Sequence, residues 1–347
     1  MHINSSEIYL NLTKKEILGV GVYEKKQSIS SLSEGDEVKD IFVVKIKKGL
    51  YPYKGKSGLY FKLLLSDNSG KTLEYRYWGN ENEEEIKKIY NSIKNDSVLY
   101  IEGKVSTFNG KLQLSSEGPS SIRVLKKGEY DENEFIKPPK RDVEKMYSEL
   151  VEEIYCVENP QIKKLLESIF KDPEIEKKFK KHPGGIEIHH NWRGGLLQHT
   201  LEVLQYCKLS WQLFPDLNKD LLVAGALLHD IGKLEEISVT SRIKGTDRGQ
   251  LLGHIVLGAN YVSRKMDDMD MDEKLKDKIL HMIISHHGRV EYGSPKEPMY
   301  SEAIVLYYAD EMSSKIAEMD EFIRNSKEDT EDDFMYNKRK GRNIFLK

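Results

Sequence analysis

The sequence predicts an α+β protein of two domains, a five-stranded β-barrel followed by an all-α helical bundle. Two observations support this prediction. Short β-branched and aromatic runs separated by turn residues fill positions 35 to 125, and helical periodicity replaces them from residue 143 onward. A chain of 347 residues is also long enough for two domains.

The first half of the chain contains five predicted strands. They are Val38–Ile46, Tyr60–Leu65, Thr72–Trp78, Val98–Val105 and Lys111–Ser115. Asn109-Gly110 predicts a two-residue hairpin turn, because both positions tolerate a positive φ. A helical pattern over Asn82–Ile93 separates the third strand from the fourth. Five strands with a helix in that place are the layout of an OB-fold barrel.

A charged segment containing Pro138-Pro139 separates the barrel from the bundle. Beyond it, apolar residues recur three or four positions apart and almost no strand signal remains. The predicted helices are Val143–Tyr155, Gln161–Phe170, His199–Phe214, Leu221–His229, His254–Met266, Glu273–His287 and Ser301–Asp320. The predicted organisation is an N-terminal extension (1–34), the barrel (35–127), a linker (128–142), the bundle (143–320) and a charged tail (321–347). Disorder or loose packing is expected for the tail.

Composition narrows the function classes. The apolar content of 38% and charged content of 32% fit a soluble, polar globular protein. A net charge of −3 gives no global attraction to nucleic acid, so such a partner needs a local patch. Cys156 and Cys207 form no disulfide framework, which suits a reducing compartment. We found no export signal or membrane-length apolar run, so a cytoplasmic protein without a membrane partner is expected.

Seven residues that can bind metal lie in five short motifs of the second half. Each lies in or beside an apolar run, where an unpartnered imidazole or carboxylate is costly. The candidates are His199, His229, Asp230, His254, His286, His287 and Asp310. A lone helical histidine is more often a satisfied core residue, but several recurring together indicate a divalent metal. His281 is excluded, because it precedes His286 by five positions and points to another helix face.

The segment Ile41–Ser66 predicts a nucleic-acid surface. It contains six lysines, no acid and several interleaved aromatic residues. Cations neutralise phosphates, and rings stack on bases without reading sequence. The candidates here and on the next strand are Lys45, Lys47, Tyr51, Tyr53, Lys54, Lys56, Phe61 and Trp78. The alternative is that half of these rings fill the barrel while the lysines only make it soluble.

The order of the metal candidates resembles that of a known superfamily. His199, the pair His229-Asp230 and the distant Asp310 follow the H…HD…D order of the HD-domain metal-dependent phosphohydrolases. The resemblance implies that the bundle is an HD domain and that these four residues hold one metal.

The remaining candidates resemble the binuclear variant of this pattern. The resemblance implies that Asp230 bridges to a second metal held by His254, His286 and His287. Neutral imidazoles suit Mn, Fe, Co, Ni or Zn better than Mg. Two metals would activate a bridging water and neutralise the phosphoryl oxygens. Lys233 follows the HD pair and is expected to act with Asp230 in catalysis, as a donor to the phosphate or leaving group; the alternative is an exposed lysine at a helix end.

From about Gly35 to Asp320 the chain is similar to the YhaM-like 3′-to-5′ exoribonucleases, in which an OB-fold precedes an HD domain. The likeness rests on residues 189–200, 227–233 and 284–288. It implies single-stranded RNA, or DNA, as the substrate, release of nucleotides from the 3′ end, and Mn or Co as the favoured metal. His189, His190 and Arg193 would then contact the terminal phosphate or ribose.

Two other functions stay open. One is an HD enzyme that acts on nucleotides or a cyclic dinucleotide, although a small substrate needs no surface that tracks a strand. The other is a non-catalytic single-strand-binding protein with a structural metal, which predicts a closed ligand shell. The sequence leaves a homo-oligomer open as well.

Overall fold

The computed structural model describes residues 23–186 and 190–347. The chain divides into two compact units, Met1–Pro138 with Thr240–Arg242, and Pro139–Val239 with Ile243–Lys347. Within the described ranges, no helix combines the length and apolar content that a membrane crossing requires.

The first unit contains a closed β-barrel. Its strands are β1 (Glu37–Pro52), β2 (Leu59–Ser66), β3 (Thr72–Trp78), β4 (Val98–Phe108), β5 (Lys111–Glu117) and the short β6 (Ile122–Val124). Their order is β1-β2-β3-β5-β4-β6, and pairing of β1 with β4 closes the barrel. Helix α1 (Glu83–Ser92) lies between β3 and β4 in the chain. The predicted OB-fold topology is therefore confirmed.

Strand β1 is longer than the sequence predicted. It continues through Pro52, because its first half pairs with β4 and its second half pairs with β2. Two register shifts, at Val44/Ile46 and at Lys47/Leu50, interrupt the pairing with β2. Such bulges bend a strand and increase its twist, which is how one strand can join two edges of a barrel.

Alternation along β2 decides which aromatic residues are available on the surface. Leu59, Phe61, Leu63 and Leu65 are buried, and the residues between them are half-buried. Phe61 is 0% exposed and stacks on Tyr77 with ring centroids 4.8 Å apart. The prediction that Phe61 contacts nucleic acid is therefore wrong, because its ring belongs to the barrel core.

The second unit is built mainly of helices. They are α2 (Val143–Tyr155), α3 (Pro160–Phe170), α4 (Pro173–Lys181), α5 (Gly195–Leu213), α6 (Lys219–Leu228), α7 (Lys233–Glu236), α8 (Asp247–Asp267), α9 (Glu273–Ser285) and α10 (Ser301–Asp329). The side chains of Asp142, Asn159 and Asp172 cap the N-termini of α2, α3 and α4. Helix α6 is buried along its length from Asp220 to Leu228, and the His229-Asp230 pair follows directly. A short 3-10 turn lies at Val290–Tyr292, and those at Ile29–Ser31, Pro119–Ser121 and Glu132–Phe135 belong to the first unit.

Two small hairpins depart from the predicted all-helical bundle. They consist of β7 (Ile237–Val239) with β8 (Ile243–Gly245), and of β9 (Phe334–Asn337) with β10 (Arg342–Phe345). The second hairpin corrects the expectation of a loose tail. Ile344 and Leu346 are buried there, and Lys340 pairs with Glu318 at 2.6 Å. Burial of Ile344 and Leu346 and the pairing of Lys340 with Glu318 hold this hairpin in place, while Phe334, Tyr336 and Phe345 stay exposed.

Candidate metal centre and nucleic-acid surface

All seven predicted metal-binding residues lie in the second unit, and the structure brings them together. They come from α5 (His199), the end of α6 (His229 and Asp230), α8 (His254), the end of α9 (His286 and His287) and α10 (Asp310). Ligand atoms of His199, His229 and Asp230 lie within 4.8 Å of one another, and so do those of His254, His286 and His287. We call these the first and the second ligand group.

Asp230 connects the two groups. Its Oδ2 atom lies 3.4 Å from Nε2 of His199 and 3.4 Å from Nε2 of His229. Its Oδ1 atom lies 3.6 Å from Nε2 of His254 and 3.7 Å from Nε2 of His286. The two oxygens of one carboxylate therefore face different groups, as a residue that bridges two cations requires.

Several buried atoms of this cluster lack a hydrogen-bond partner among the described residues. They are Oδ1 of Asp230, Nε2 of His254 and Nε2 of His286. Burying a polar atom without a hydrogen-bond partner costs free energy, and these three atoms lie close together. A divalent cation would satisfy all three at once. The donor set, imidazole nitrogens with carboxylate oxygens, therefore fits a divalent metal site.

Hydrogen bonds on the far side of the imidazole rings fix their orientation. Backbone carbonyls of Ala226, Ile283 and Tyr292 accept from Nδ1 of His229, His286 and His287 at 2.9, 2.7 and 3.0 Å. With Nδ1 protonated, each Nε2 is left with its lone pair directed inward. This arrangement is typical of histidines that bind metal.

His199 is held through a chain of side chains instead. Its Nδ1 lies 3.0 Å from Oγ of Ser313, which donates to Oε2 of Glu202 at 2.7 Å. Nε2 of His190 and Nε2 of Gln198 also donate to Glu202, each at 2.9 Å. Burial opposes ionisation of Glu202, but these hydrogen bonds outweigh it and lower its pKa to about 2.

Burial also sets the protonation of the ligands. It lowers the pKa of His286 well below its usual value and lowers those of His199 and His287. These rings are therefore neutral near pH 7, the form that binds metal. Burial works against the charge of Asp310, but its hydrogen bond with His199, whose Nε2 lies 3.1 Å from its Oδ1, lowers its pKa.

Lys233 contacts the bridging carboxylate directly. Its Nζ donates to Oδ2 of Asp230 at 2.6 Å and to the carbonyl oxygen of Gly184 at 2.8 Å. Burial would lower the pKa of Lys233, but attraction to Asp230 outweighs it and raises the pKa. The side chain is only 11% exposed, so the alternative of an exposed lysine at a helix end is wrong. Two of its three N–H bonds have partners here.

The other residues singled out in this domain lie in different environments. His281 lies outside the cluster, where its Nε2 accepts from the backbone N–H of Met299 at 3.1 Å. His189 lies outside the described residues. His190 is 1% exposed and its ring packs beside His199, so its predicted contact with a terminal phosphate is wrong. Arg193 is half-buried and lies two residues before the start of α5.

The barrel carries a surface of rings and cations that is centred on β2 and β3 and extends to β1, the β1–β2 loop and β4. We call it the ring-and-cation surface; it consists of Tyr51, Tyr53, Tyr60, Trp78, Phe108, Lys56, Lys62 and Arg76. Tyr60 is 5.4 Å from both Tyr51 and Trp78 between ring centroids. The guanidinium of Arg76 lies 4.8 Å from the Trp78 ring and 5.3 Å from the Phe108 ring.

Adjacent strands assemble this surface through their register. Tyr60 pairs with Trp78, and Lys62 pairs with Arg76. A cavity of about 780 Å³ lies on this part of the barrel, with Lys62, Arg76 and Phe108 in its lining. Arg76 was missed in the sequence because it lies on β3, outside the acid-free segment.

The remaining predicted lysines are distributed differently. Lys56 lies over the Tyr53 ring at 4.2 Å and belongs to the surface. Lys47 lies over the ring of Tyr90 on α1 at 3.8 Å, and burial lowers its pKa. Lys54 is exposed in the loop between β1 and β2, and Lys45 is half-buried on β1.

Comparison with known families supports this reading of the second unit. Residues 196–315 match the family model of the HD domain. The matched region begins at the second residue of α5 and ends within α10, so it contains all seven candidate ligands. The HD domain belongs to a superfamily of metal-dependent phosphohydrolases, which agrees with the donor set described above.

Solved structures also resemble parts of the chain. The second OB-fold domain of replication protein A from Methanococcus maripaludis is 19% identical over 29% of this chain and 96% of that domain, with a TM-score of 0.22. A replication protein A heterotrimer bound to single-stranded DNA is 15% identical over 35% of this chain and 29% of that one, with a TM-score of 0.25. The Stn1–Ten1 complex of S. pombe is 18% identical over 26% of this chain and 58% of that one, with a TM-score of 0.20.

Proposed function

We propose that this protein is a metal-dependent 3′-to-5′ exonuclease that hydrolyses phosphodiester bonds of single-stranded RNA, and also of DNA. The observation that carries the proposal is the geometry of Asp230, whose two oxygens face two separate histidine groups. When bound, two divalent ions would polarise the scissile phosphate and lower the pKa of the attacking water.

The chain's own residues would do the remaining work. His199, His229 and Asp310 would hold the first ion, and the second ligand group would hold the other. Lys233, already a donor to Asp230, has a further N–H with which to bind a phosphoryl or leaving-group oxygen. Burial of the cluster strengthens each of these interactions, because the local dielectric is low.

The ring-and-cation surface supports a single strand as the substrate. Stacked rings accept any base, and the cations among them neutralise phosphates without reading sequence. The preference for RNA, the 3′ polarity, manganese as the ion and a cytoplasmic location rest on the sequence and its resemblance to the YhaM-like exoribonucleases. The free thiols of Cys156 and Cys207 are in keeping with that compartment.

The proposal can be tested with the purified chain, Mn²⁺ and single-stranded RNA and DNA labelled at the 5′ end. We expect a ladder of labelled products that shorten one nucleotide at a time. A label at the 3′ end should be released as a mononucleotide from the start. Products that keep an intact 3′ end would contradict the polarity.

Two other results would replace this function with another. Inert strands together with hydrolysis of nucleotides or cyclic dinucleotides would indicate a small-molecule HD phosphohydrolase. Tight strand binding with no hydrolysis of any phosphate ester would indicate a binding protein with a structural metal. The chain treated with a chelator serves as the control for every substrate.

A further inference from the structure

Helix α8 is broken immediately before one of the metal ligands. Gly253 has φ 71° and ψ 157° in the middle of Asp247–Asp267, whereas its neighbours are helical. Only glycine adopts this conformation without strain. A Cβ atom at this position would meet nothing within 4 Å, so the glycine is required by the backbone rather than by space.

The break changes the partner of the next N–H group. In a continuous helix, the N–H of His254 would donate to the carbonyl four residues earlier. Here it donates to Oε1 of Glu236 at 3.0 Å. A carboxylate from α7 therefore caps the second half of α8 in the way that an N-cap residue does.

The same carboxylate also fixes the imidazole ring. Nδ1 of His254 lies 3.1 Å from Oε2 of Glu236, and Nε2 on the other side of the ring lies 3.6 Å from Oδ1 of Asp230. Glu236 is held close to α8 because Gly232, just before α7, packs against the backbone of α8. A Cβ on Gly232 would lie only 2.0 Å from the carbonyl oxygen of His254.

This contact distinguishes His254 from its partners in the second ligand group. His286 and His287 donate to backbone carbonyls, which are neutral acceptors. Asp310 adds a second carboxylate beside the first group, 3.1 Å from Nε2 of His199, while the second group shares only Oδ1 of Asp230. Glu236 therefore supplies nearby negative charge that the second group's own ligands lack.

We propose that Glu236 is a positioning residue that sets the affinity of the second metal position, with Gly253 as the backbone break that gives it access to His254. The proposal rests on the binuclear centre of the proposed function. A carboxylate behind a metal-binding imidazole fixes the ring and raises its basicity, and loss of such a partner typically weakens metal binding 10- to 100-fold.

Titration of the metal-free full chain with Mn²⁺ by isothermal calorimetry tests this role. The wild-type chain should bind two ions. Glu236→Gln keeps the volume and one acceptor oxygen, so the variant should fold, and it should weaken one binding step by roughly 10- to 100-fold while leaving the other unchanged. Glu236→Asp keeps the charge on a shorter side chain and should give an intermediate loss.

Glu235→Gln is the matched control, because Glu235 is the neighbouring residue on α7 and pairs with Arg248 instead. This variant should bind both ions as the wild type does. Co²⁺ absorption spectra give a second readout, in which Glu236→Gln should lose the bands of one ion only.

The outcomes separate this inference from the proposed function. Two unchanged binding steps in Glu236→Gln would overturn the inference alone, and so would equal weakening of both steps, which indicates a general structural role. A wild-type chain that binds a single Mn²⁺ would overturn the binuclear centre and this inference with it.

Discussion

The ring-and-cation surface and the candidate metal centre are built in opposite ways. The surface is built from exposed or half-buried side chains that repeat one another's chemistry. The centre is buried, and a single atom such as Oδ1 of Asp230 faces two imidazole rings at once. Substitutions should therefore have graded effects on the barrel and all-or-none effects in the centre.

The largest effect is expected from Asp230→Asn. The amide keeps the shape but loses the charge that would be shared by two cations, which removes several kcal/mol of transition-state stabilisation. Hydrolysis of every substrate should fall by roughly a thousandfold or more. Metal content measured by mass spectrometry should fall below two ions per chain. Asp216→Asn, in the exposed loop after α5, should change neither value. Full metal loading in Asp230→Asn would refute its bridging role.

A moderate effect, confined to strand binding, is expected from substitutions on the barrel surface. Tyr60→Ala and Trp78→Ala each remove a stacking platform worth about 1–3 kcal/mol per base. Each should weaken binding of a labelled single strand roughly tenfold, measured by fluorescence anisotropy without metal. Cleavage of a small phosphodiester should be unaffected, and Tyr336→Ala, on the exposed β9 strand, is the control. Equal loss of strand binding and of small-substrate cleavage would contradict the assignment of these two roles to separate regions.

The smallest effect concerns the stability of the metal-free chain. Because the pKa of Glu202 is lowered from 4.5 to about 2, its ionised form stabilises the fold above pH 4.5, and this contribution is lost as pH falls towards 2. At pH 6, Glu202→Gln should lower the free energy of unfolding by about 1–2 kcal/mol. The difference from wild type should shrink below pH 4.5 in urea titrations. Glu331→Gln, an exposed carboxylate of the tail, should show no such trend.

The candidate metal ligands could be picked out in the sequence because polar, ionisable side chains there lie in apolar surroundings. A histidine followed by an aspartate at the end of an apolar helix is costly without a partner, and the sequence shows that conflict directly. Position along the helix was sufficient to exclude His281, because it points to a different helix face from His286. The supporting carboxylates Glu202 and Glu236 could not be found in this way, because a glutamate on a helix normally indicates a solvated face.

The acid-free segment Ile41–Ser66 did not reveal which of its side chains lie on the barrel surface. The acid-free segment indicated the correct strands, but it did not distinguish Phe61 in the core from Tyr60 on the surface. Side chains alternate between the faces of a strand, so neighbouring residues have opposite environments. Arg76 becomes part of the surface only through its register with Lys62, which is a non-local property. The tail hairpin escaped prediction because its strands are only four residues long and lie within a strongly charged segment.

Strand β1 also covers strand edges that could otherwise pair with another chain. Because β1 pairs with β4 along Glu37–Val43 and with β2 along Val43–Pro52, it covers the edges of both neighbours. Release of β1 would turn a closed barrel into an open sheet whose unpaired N–H and C=O groups could recruit another chain. Amide protons near Val43, where the two pairings meet, should therefore be among the slowest to exchange with solvent.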